Sequence, residues 1–148
     1  VIVGTGGYEK KLKALAYECG VREHVKFAGG VTIEELVRYY RTGDLFIMPN
    51  RTLPNGDTEG FGLVFLEANA CEKPVIGGNA GGVPDAVLNG ETGFLVDGTS
   101  IGCISDAVVK ILENDELAAK MGKKGRANAL RNTWYNKSRQ FVSICENL

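Results

Sequence analysis

The sequence predicts an α/β protein built on a doubly wound parallel sheet. Short apolar runs of strand length, bounded by Gly and Pro, alternate along the chain with longer segments of helical periodicity. Five such runs separated by helices call for crossover connections, which parallel strands require and tight hairpins do not supply. Glycine-rich turns then follow the carboxyl ends of four of those runs, at residues 4–7, 29–30, 49–62 and 77–82. That is the edge at which open α/β sheets bind ligands.

Residues 1–4, Val1-Ile2-Val3-Gly4, read as the first strand, ended by Thr5-Gly6-Gly7. A helix follows with Leu12, Leu15, Ala16 and Cys19 on one face, stopped by Gly20. Residues 25–28 form the second strand. Thr32 and Glu35 spell a T-x-x-E capping box, and Ile33, Leu36, Val37 and Tyr40 supply the stripe of the helix it opens. Residues 44–48 are the third strand, ending at Pro49. Residues 51–58 are a polar insertion, expected to be mobile, with Pro54-Asn55-Gly56-Asp57 as a turn.

The helix carrying Glu67 comes next, then a fourth strand at residues 74–77 and a turn at Gly81-Gly82-Val83-Pro84. Residues 92–96 are the fifth strand, after Asn89-Gly90. Beyond it the chain is helical. Ile104, Ala107, Val108, Ile111 and Leu112 share one face, and Leu117 and Met121 begin another. A last helix carries Trp134, Ser138, Phe141, Cys145 and Leu148 at helical spacing, with Phe141 expected to close the core.

Composition narrows the function classes. The chain has 148 residues, the size of one domain, with 44% hydrophobic and 24% charged residues. Its net charge is −1 and its pI about 5.9, without a basic cluster, so nucleic acid is excluded as a partner. No apolar run approaches the ~18 residues that span a bilayer, and no stretch reads as a signal peptide. Cys19, Cys71, Cys103 and Cys145 lie far apart and are expected to be buried small hydrophobes in a reducing compartment. The one histidine, His24, sits in a charged turn, and no Cys/His cluster offers a metal site. Because the chain opens on a strand without a methionine, it is expected to be a fragment of something longer.

The most informative stretch is Glu59-Gly60-Phe61-Gly62-Leu63-Val64-Phe65-Leu66-Glu67. It sets two carboxylates eight residues apart around a glycine turn, inside an otherwise apolar run. An ionised Glu67 between Leu66 and Ala68 in a packed helix needs a partner. If every step were helical, the two acids would be separated by roughly 12 Å along the axis. The glycines let a ligand approach the backbone, and the N–H groups opening the helix favour an anion. The layout suits a sugar nucleotide, with one acid on the sugar, amides on the pyrophosphate and the other acid on the ribose. Two other readings are weaker. Asp57-Thr58-Glu59 looks like a metal-holding D-x-D pair, yet a glycine turn and helix follow directly. Gly4-x-Gly6 after a strand suggests a dinucleotide fingerprint, yet Glu9 stands where the third glycine belongs.

In order along the chain, Val3–Gly6, Phe27-Ala28-Gly29, the E-x7-E element, Lys73-Pro74-Val75-Ile76, Gly81-Gly82-Val83-Pro84-Asp85 and Asn89-Gly90-Glu91-Thr92-Gly93-Phe94-Leu95-Val96 form a series. With that series the chain resembles, nearly end to end, the C-terminal half of group 1 (family 4) retaining glycosyltransferases. The resemblance implies a Rossmann-like domain, one half of a two-domain GT-B architecture, whose N-terminal acceptor domain is absent here. It implies a UDP- or GDP-hexose as donor, with no cofactor or metal. Glu59 would hold the hexose, the amides of Gly60, Phe61, Gly62 and Leu63 would face sugar and diphosphate, and Glu67 would bind the ribose. Gly30 and Val31 would lie near the base, and Gly4 and Gly6 would line the same cleft.

The resemblance further implies an Arg and a Lys on a turn upstream of Val1, so that the fragment alone transfers little. It also implies a last helix crossing back to the N-terminal domain, so that Trp134, Phe141 and Leu148 pack partly there. The acceptor, a glycan, lipid or small molecule, belongs to that other domain, and the commonest setting is cytoplasmic, at the inner membrane face. Asp85 departs from the family, which more often has Glu there. A sugar-nucleotide epimerase or phosphorylase of the same architecture, and a non-catalytic sugar-nucleotide module, are the competing functions. A phosphorylase would also need a cofactor-bearing lysine, which has no evident counterpart in the chain.

Overall fold

The computed structural model describes residues 1–147, so Leu148 of the last-helix stripe lies outside the described residues. The chain divides into two compact units, the first covering Val1–Tyr39 and the second running from Tyr40 onward. All strand pairing is parallel, as the alternation of strands and helices predicts. The strands are hydrogen-bonded as two sheets rather than one, a two-stranded sheet in the first unit and a three-stranded sheet in the second.

In the first unit, β1 (Ile2–Val3) pairs with β2 (Phe27–Gly29), Ile2 against Phe27. α1 (Glu9–Glu18) lies between them in sequence and buries Ala16. A single 3₁₀ turn at Arg22–His24 precedes β2, and His24 is exposed in it. α2 (Ile33–Thr42) opens on the expected capping box. Thr32 N–H donates to Glu35 Oε2 at 2.8 Å and Glu35 N–H to Thr32 Oγ1 at 3.2 Å.

The second unit is organised by β4 (Val75–Gly78), which pairs with β3 (Phe46–Met48) on one side and β5 (Gly93–Val96) on the other. All four residues of β4 are buried, which explains why this strand reads as an unbroken apolar run without alternation. Ile76 joins Val96, Ala107, Ile111 and Met121 in the core, with Leu45, Phe94, Ile104 and Leu117 packed around it. The last three core residues come from α5 (Ile101–Leu112) and α6 (Asp115–Arg131), on the helical faces the sequence marks. Ser100 and Asn114 cap these helices through side-chain acceptors for Cys103 and Leu117 N–H.

α3 (Leu63–Ala70) is clamped by α6 through two glycines. A methyl group at Gly122 would lie 2.1 Å from the Glu72 carbonyl oxygen, and one at Gly125 would lie 2.5 Å from Asn69 Nδ2. Asn69 is fully buried and donates from Nδ2 to the Lys73 carbonyl at 2.9 Å, tying the end of α3 to the approach of β4.

Three expectations need correction. The segment expected to be only a glycine turn at 81–84 instead continues into a one-turn helix, α4 (Val83–Ala86), because Pro84 sits where helix starts tolerate it and Val83 and Ala86 are buried. Cys19, Cys103 and Cys145 are exposed and Cys71 half-buried: Ala16 takes the buried face beside Cys19, Ala107 and Ile111 take that of the helix carrying Cys103, and the helix carrying Cys145 buries no residue. Phe141 closes no core. It is 67% exposed, Trp134 is 80% exposed, and α7 (Trp134–Glu146) has no buried residue. The insertion at 51–58 is exposed, as its polar composition predicts, and carries internal hydrogen bonds. Leu53 N–H donates to Asp57 O, Gly56 N–H to Leu53 O, and Thr52 Oγ1 to Thr58 Oγ1.

Candidate functional site

The E-x7-E element forms the turn entering α3 and most of α3 itself. Gly62, the residue before the helix, has φ 86°, and a methyl group there would lie 2.6 Å from the Phe65 ring. Only glycine satisfies both conditions. α3 therefore starts with no side-chain cap; Phe65 N–H donates to the Gly62 carbonyl at 3.0 Å, and the N–H groups of Leu63 and Val64 are left to a ligand or to water. Leu63 at that start is 50% exposed.

Glu59 is half-buried, and its carboxylate accepts from the Phe61 N–H at 3.4 Å. Its backbone carbonyl accepts from the Gly82 N–H at 2.9 Å. Methyl groups at Gly81 and Gly82 would lie 2.2 Å from the Glu59 oxygen and 2.0 Å from the Gly60 oxygen. The two glycine turns singled out from the sequence are thus one structure, with the second supporting the first. Asp85, on α4, is exposed.

Glu67 projects from the exposed side of α3, whose other side buries Phe65, Leu66, Ala68 and Asn69. Its exposure corrects the expectation of a charge enclosed in a packed helix, since water solvates it; it is nonetheless paired with Tyr40, whose hydroxyl donates to Glu67 Oε2 at 3.0 Å. Burial first, then the hydrogen bond to Glu67 and its charge, push the Tyr40 phenol well above its ordinary value of 10.0. Sequence reading put Tyr40 only in the apolar stripe of α2. The available signal was the residue type, because a buried tyrosine hydroxyl generally finds a partner.

The remaining expected site residues lie in the first unit, where they form one corner. Gly4 N–H donates to Gly29 O at 2.8 Å, Glu9 N–H to Gly6 O at 3.2 Å, and a methyl group at Gly30 would touch Thr5 Cγ2 at 3.7 Å. Val31 is half-buried beside it. In the second unit a cleft of about 450 Å³ lies at the carboxyl ends of β3, β4 and β5, lined by Asn50, Arg51, Asn79 and Asp97 among others. Among the described residues no group of three or more His, Cys, Asp or Glu gathers as a metal site. Among the same residues no helix is long and apolar enough to cross a membrane.

The family model described as "Glycosyl transferases group 1" matches residues 1–128. The chain is similar to the GDP-mannose-dependent alpha-(1-6)-phosphatidylinositol monomannoside mannosyltransferase of Mycobacterium tuberculosis, at 48% identity over 127 residues. That alignment covers 85% of this chain and 33% of the relative. The protein of the same name from Mycolicibacterium smegmatis is 46% identical over 145 residues, covering 97% of this chain and 38% of the relative. Among solved structures, Anabaena Alr3699/HepE in complex with UDP-glucose superposes with a TM-score of 0.83 at 26% identity, covering 99% of this chain and 40% of that one. The chain thus spans about a third of the length of the curated relatives it matches.

Proposed function

The chain belongs to the group 1 glycosyl transferases, and on that premise we propose that it is the donor-binding part of a mannosyltransferase. The donor is GDP-mannose and the acceptor an inositol phospholipid mannoside. The observation that carries the binding site is the uncapped start of α3, braced from behind by the Gly82 bond to Glu59. Donor and acceptor follow from the names of the relatives at 48% and 46% identity. Those names favour transfer over epimerisation and over a non-catalytic module.

In this reading Glu59 holds the hexose with its anomeric carbon toward the acceptor, a positioning role. The bond from that carbon to the β-phosphate oxygen breaks, and the electron pair stays on the diphosphate. The N–H groups from Gly60 to Leu63 are assigned to that developing charge, that of Phe61 on leaving the Glu59 carboxylate 3.4 Å away, and fixed dipoles stabilise it with little reorganisation. An acceptor hydroxyl forms the new bond on the face the diphosphate leaves, with retention, and its proton passes to the departing phosphate. Amide donors take the place of a metal, so transfer is metal-independent. Glu67 binds the ribose hydroxyls. The turns of the first unit, with Gly4, Gly6, Gly30 and Val31, keep the assignments the resemblance implies. Acceptor recognition is assigned to the part of the relatives' length that this chain does not span, and the lipid acceptor sets the work at the cytoplasmic membrane face.

Titration of the full-length protein with GDP and UDP in EDTA, followed by transfer assays on phosphatidylinositol monomannoside, tests this. GDP selectivity and transfer in EDTA are expected, with transfer lost in Glu59→Gln. The likeness to a protein solved with UDP-glucose makes UDP the competitor. UDP selectivity, or a strict need for a divalent cation, would overturn the reading.

A further inference from the structure

We propose that Tyr40 is a positioning residue for donor binding, setting the carboxylate of Glu67 through the 3.0 Å bond from its hydroxyl to Glu67 Oε2. The inference rests on the assignment of Glu67 to the ribose hydroxyls. A glutamate on an exposed helix face ordinarily samples several rotamers, and immobilising it on binding costs side-chain entropy. Here one oxygen is already engaged by a donor that cannot itself move far. Tyr40 is only 9% exposed, and its ring packs edge-on to Phe46 at 5.6 Å. Phe46 packs edge-on to Phe65, again at 5.6 Å. Phe65 in turn lies directly under Gly62.

Three aromatic rings therefore connect the two ends of the E-x7-E element beneath the surface. Phe65 supports the turn that presents the amides, and Tyr40 supports the acid one turn before the end of α3. The hydroxyl has a second consequence. By engaging one lone pair of Oε2 it fixes the plane of the carboxylate and leaves the remaining acceptor sites to the ribose hydroxyls. Neither Phe46 nor Phe65 offers a polar atom that could substitute for the Tyr40 hydroxyl.

The test pairs protein variants with ligand variants in the full-length protein, using calorimetry with GDP and with 2′,3′-dideoxy-GDP, or the corresponding UDP pair if uridine is the base selected. Tyr40→Phe keeps the ring and removes one oxygen. It is expected to weaken GDP about five- to tenfold, to leave dideoxy-GDP unchanged, and to add nothing in a Glu67→Ala background. Glu67→Asp withdraws the carboxylate from the tyrosine at an exposed position, where folding is not at stake. It should show the same hydroxyl-dependent loss, and Tyr40→Phe should add nothing to it.

If Glu67→Ala loses GDP selectively while Tyr40→Phe does not, or if Tyr40→Phe weakens both nucleotides equally, Tyr40 has no positioning role and the ribose assignment stands. If Glu67→Ala fails to distinguish the two nucleotides, the ribose assignment falls, and the role of Tyr40 falls with it.

Discussion

The backbone carbonyl of Glu59 is held by the backbone N–H of Gly82 at 2.9 Å, joining turns that are 23 residues apart in the chain. The joint has no room for a side chain. A methyl group at Gly82 would lie 2.0 Å from the Gly60 oxygen, a distance that only backbone displacement can relieve. Gly82→Ala is expected to push the turn at Glu59 and Gly60 outward and to weaken nucleotide binding by at least about tenfold. The accompanying stability loss is about 1–3 kcal/mol, as for other overpacked sites. Calorimetry and urea unfolding on the same variant separate the two effects. Unchanged affinity would mean that the turn has no part in the site.

Glu72 has φ 60°, the one non-glycine residue with positive φ among the described residues. It follows the end of α3, where its N–H donates to Asn69 O at 2.9 Å. A side chain in the left-handed region costs about 1–2 kcal/mol. Its exposed ion pair with Arg126, at 3.5 Å, offsets about 0–1 kcal/mol of that. Glu72→Gly is therefore expected to stabilise the protein by about 0.5–1 kcal/mol. A urea midpoint that falls instead would show that the ion pair outweighs the strain.

Asn69 is fully buried and packs against Gly125 of α6. Asn69→Ala removes the donor that satisfies the Lys73 carbonyl and opens space beside Gly125. The expected loss is about 1–3 kcal/mol, read from chemical unfolding. A cost below half a kcal/mol would place the α3–α6 contact outside the stability of the unit.

The raised phenol pKa of Tyr40 carries a pH signature. The folded state keeps the proton that the unfolded chain gives up above pH 10.0, the ordinary phenol value. The stabilisation is therefore complete below that pH and is lost as pH rises toward the folded value. Melting temperature should fall less steeply above pH 10 in Tyr40→Phe than in the unmodified protein. Parallel alkaline profiles would contradict the burial and pairing of this hydroxyl.

α7 presents Trp134 and Phe141 to the surface of its unit. Trp134→Ser and Phe141→Ser in residues 1–148 should each change stability by less than about 0.5 kcal/mol. A core aromatic would cost about 3–5 kcal/mol on truncation. Thermal or urea unfolding of the two variants distinguishes these magnitudes directly.

The elements of this protein were legible because periodicity is a local property. The T-x-x-E box at Thr32 and Glu35, the apolar run of β4, and the stripe from Ala107 to Ile111 each report their own secondary structure without knowledge of the rest. The E-x7-E element was legible for a similar reason, because an acid inside an apolar helix contradicts its neighbours. The pairing partners were not legible. That Tyr40 meets Glu67, that Gly82 braces Glu59, and that Gly125 makes room for Asn69 are contacts between distant segments, chosen by shape and hydrogen-bond geometry. Helical spacing likewise marked a face on α7 without saying whether this unit covers it. Sequence by itself determined the parallel α/β class and singled out the E-x7-E element as the candidate. Tertiary structure alone decided which apolar faces are buried and which buried group holds Glu67, because both depend on segments that meet only when the chain folds.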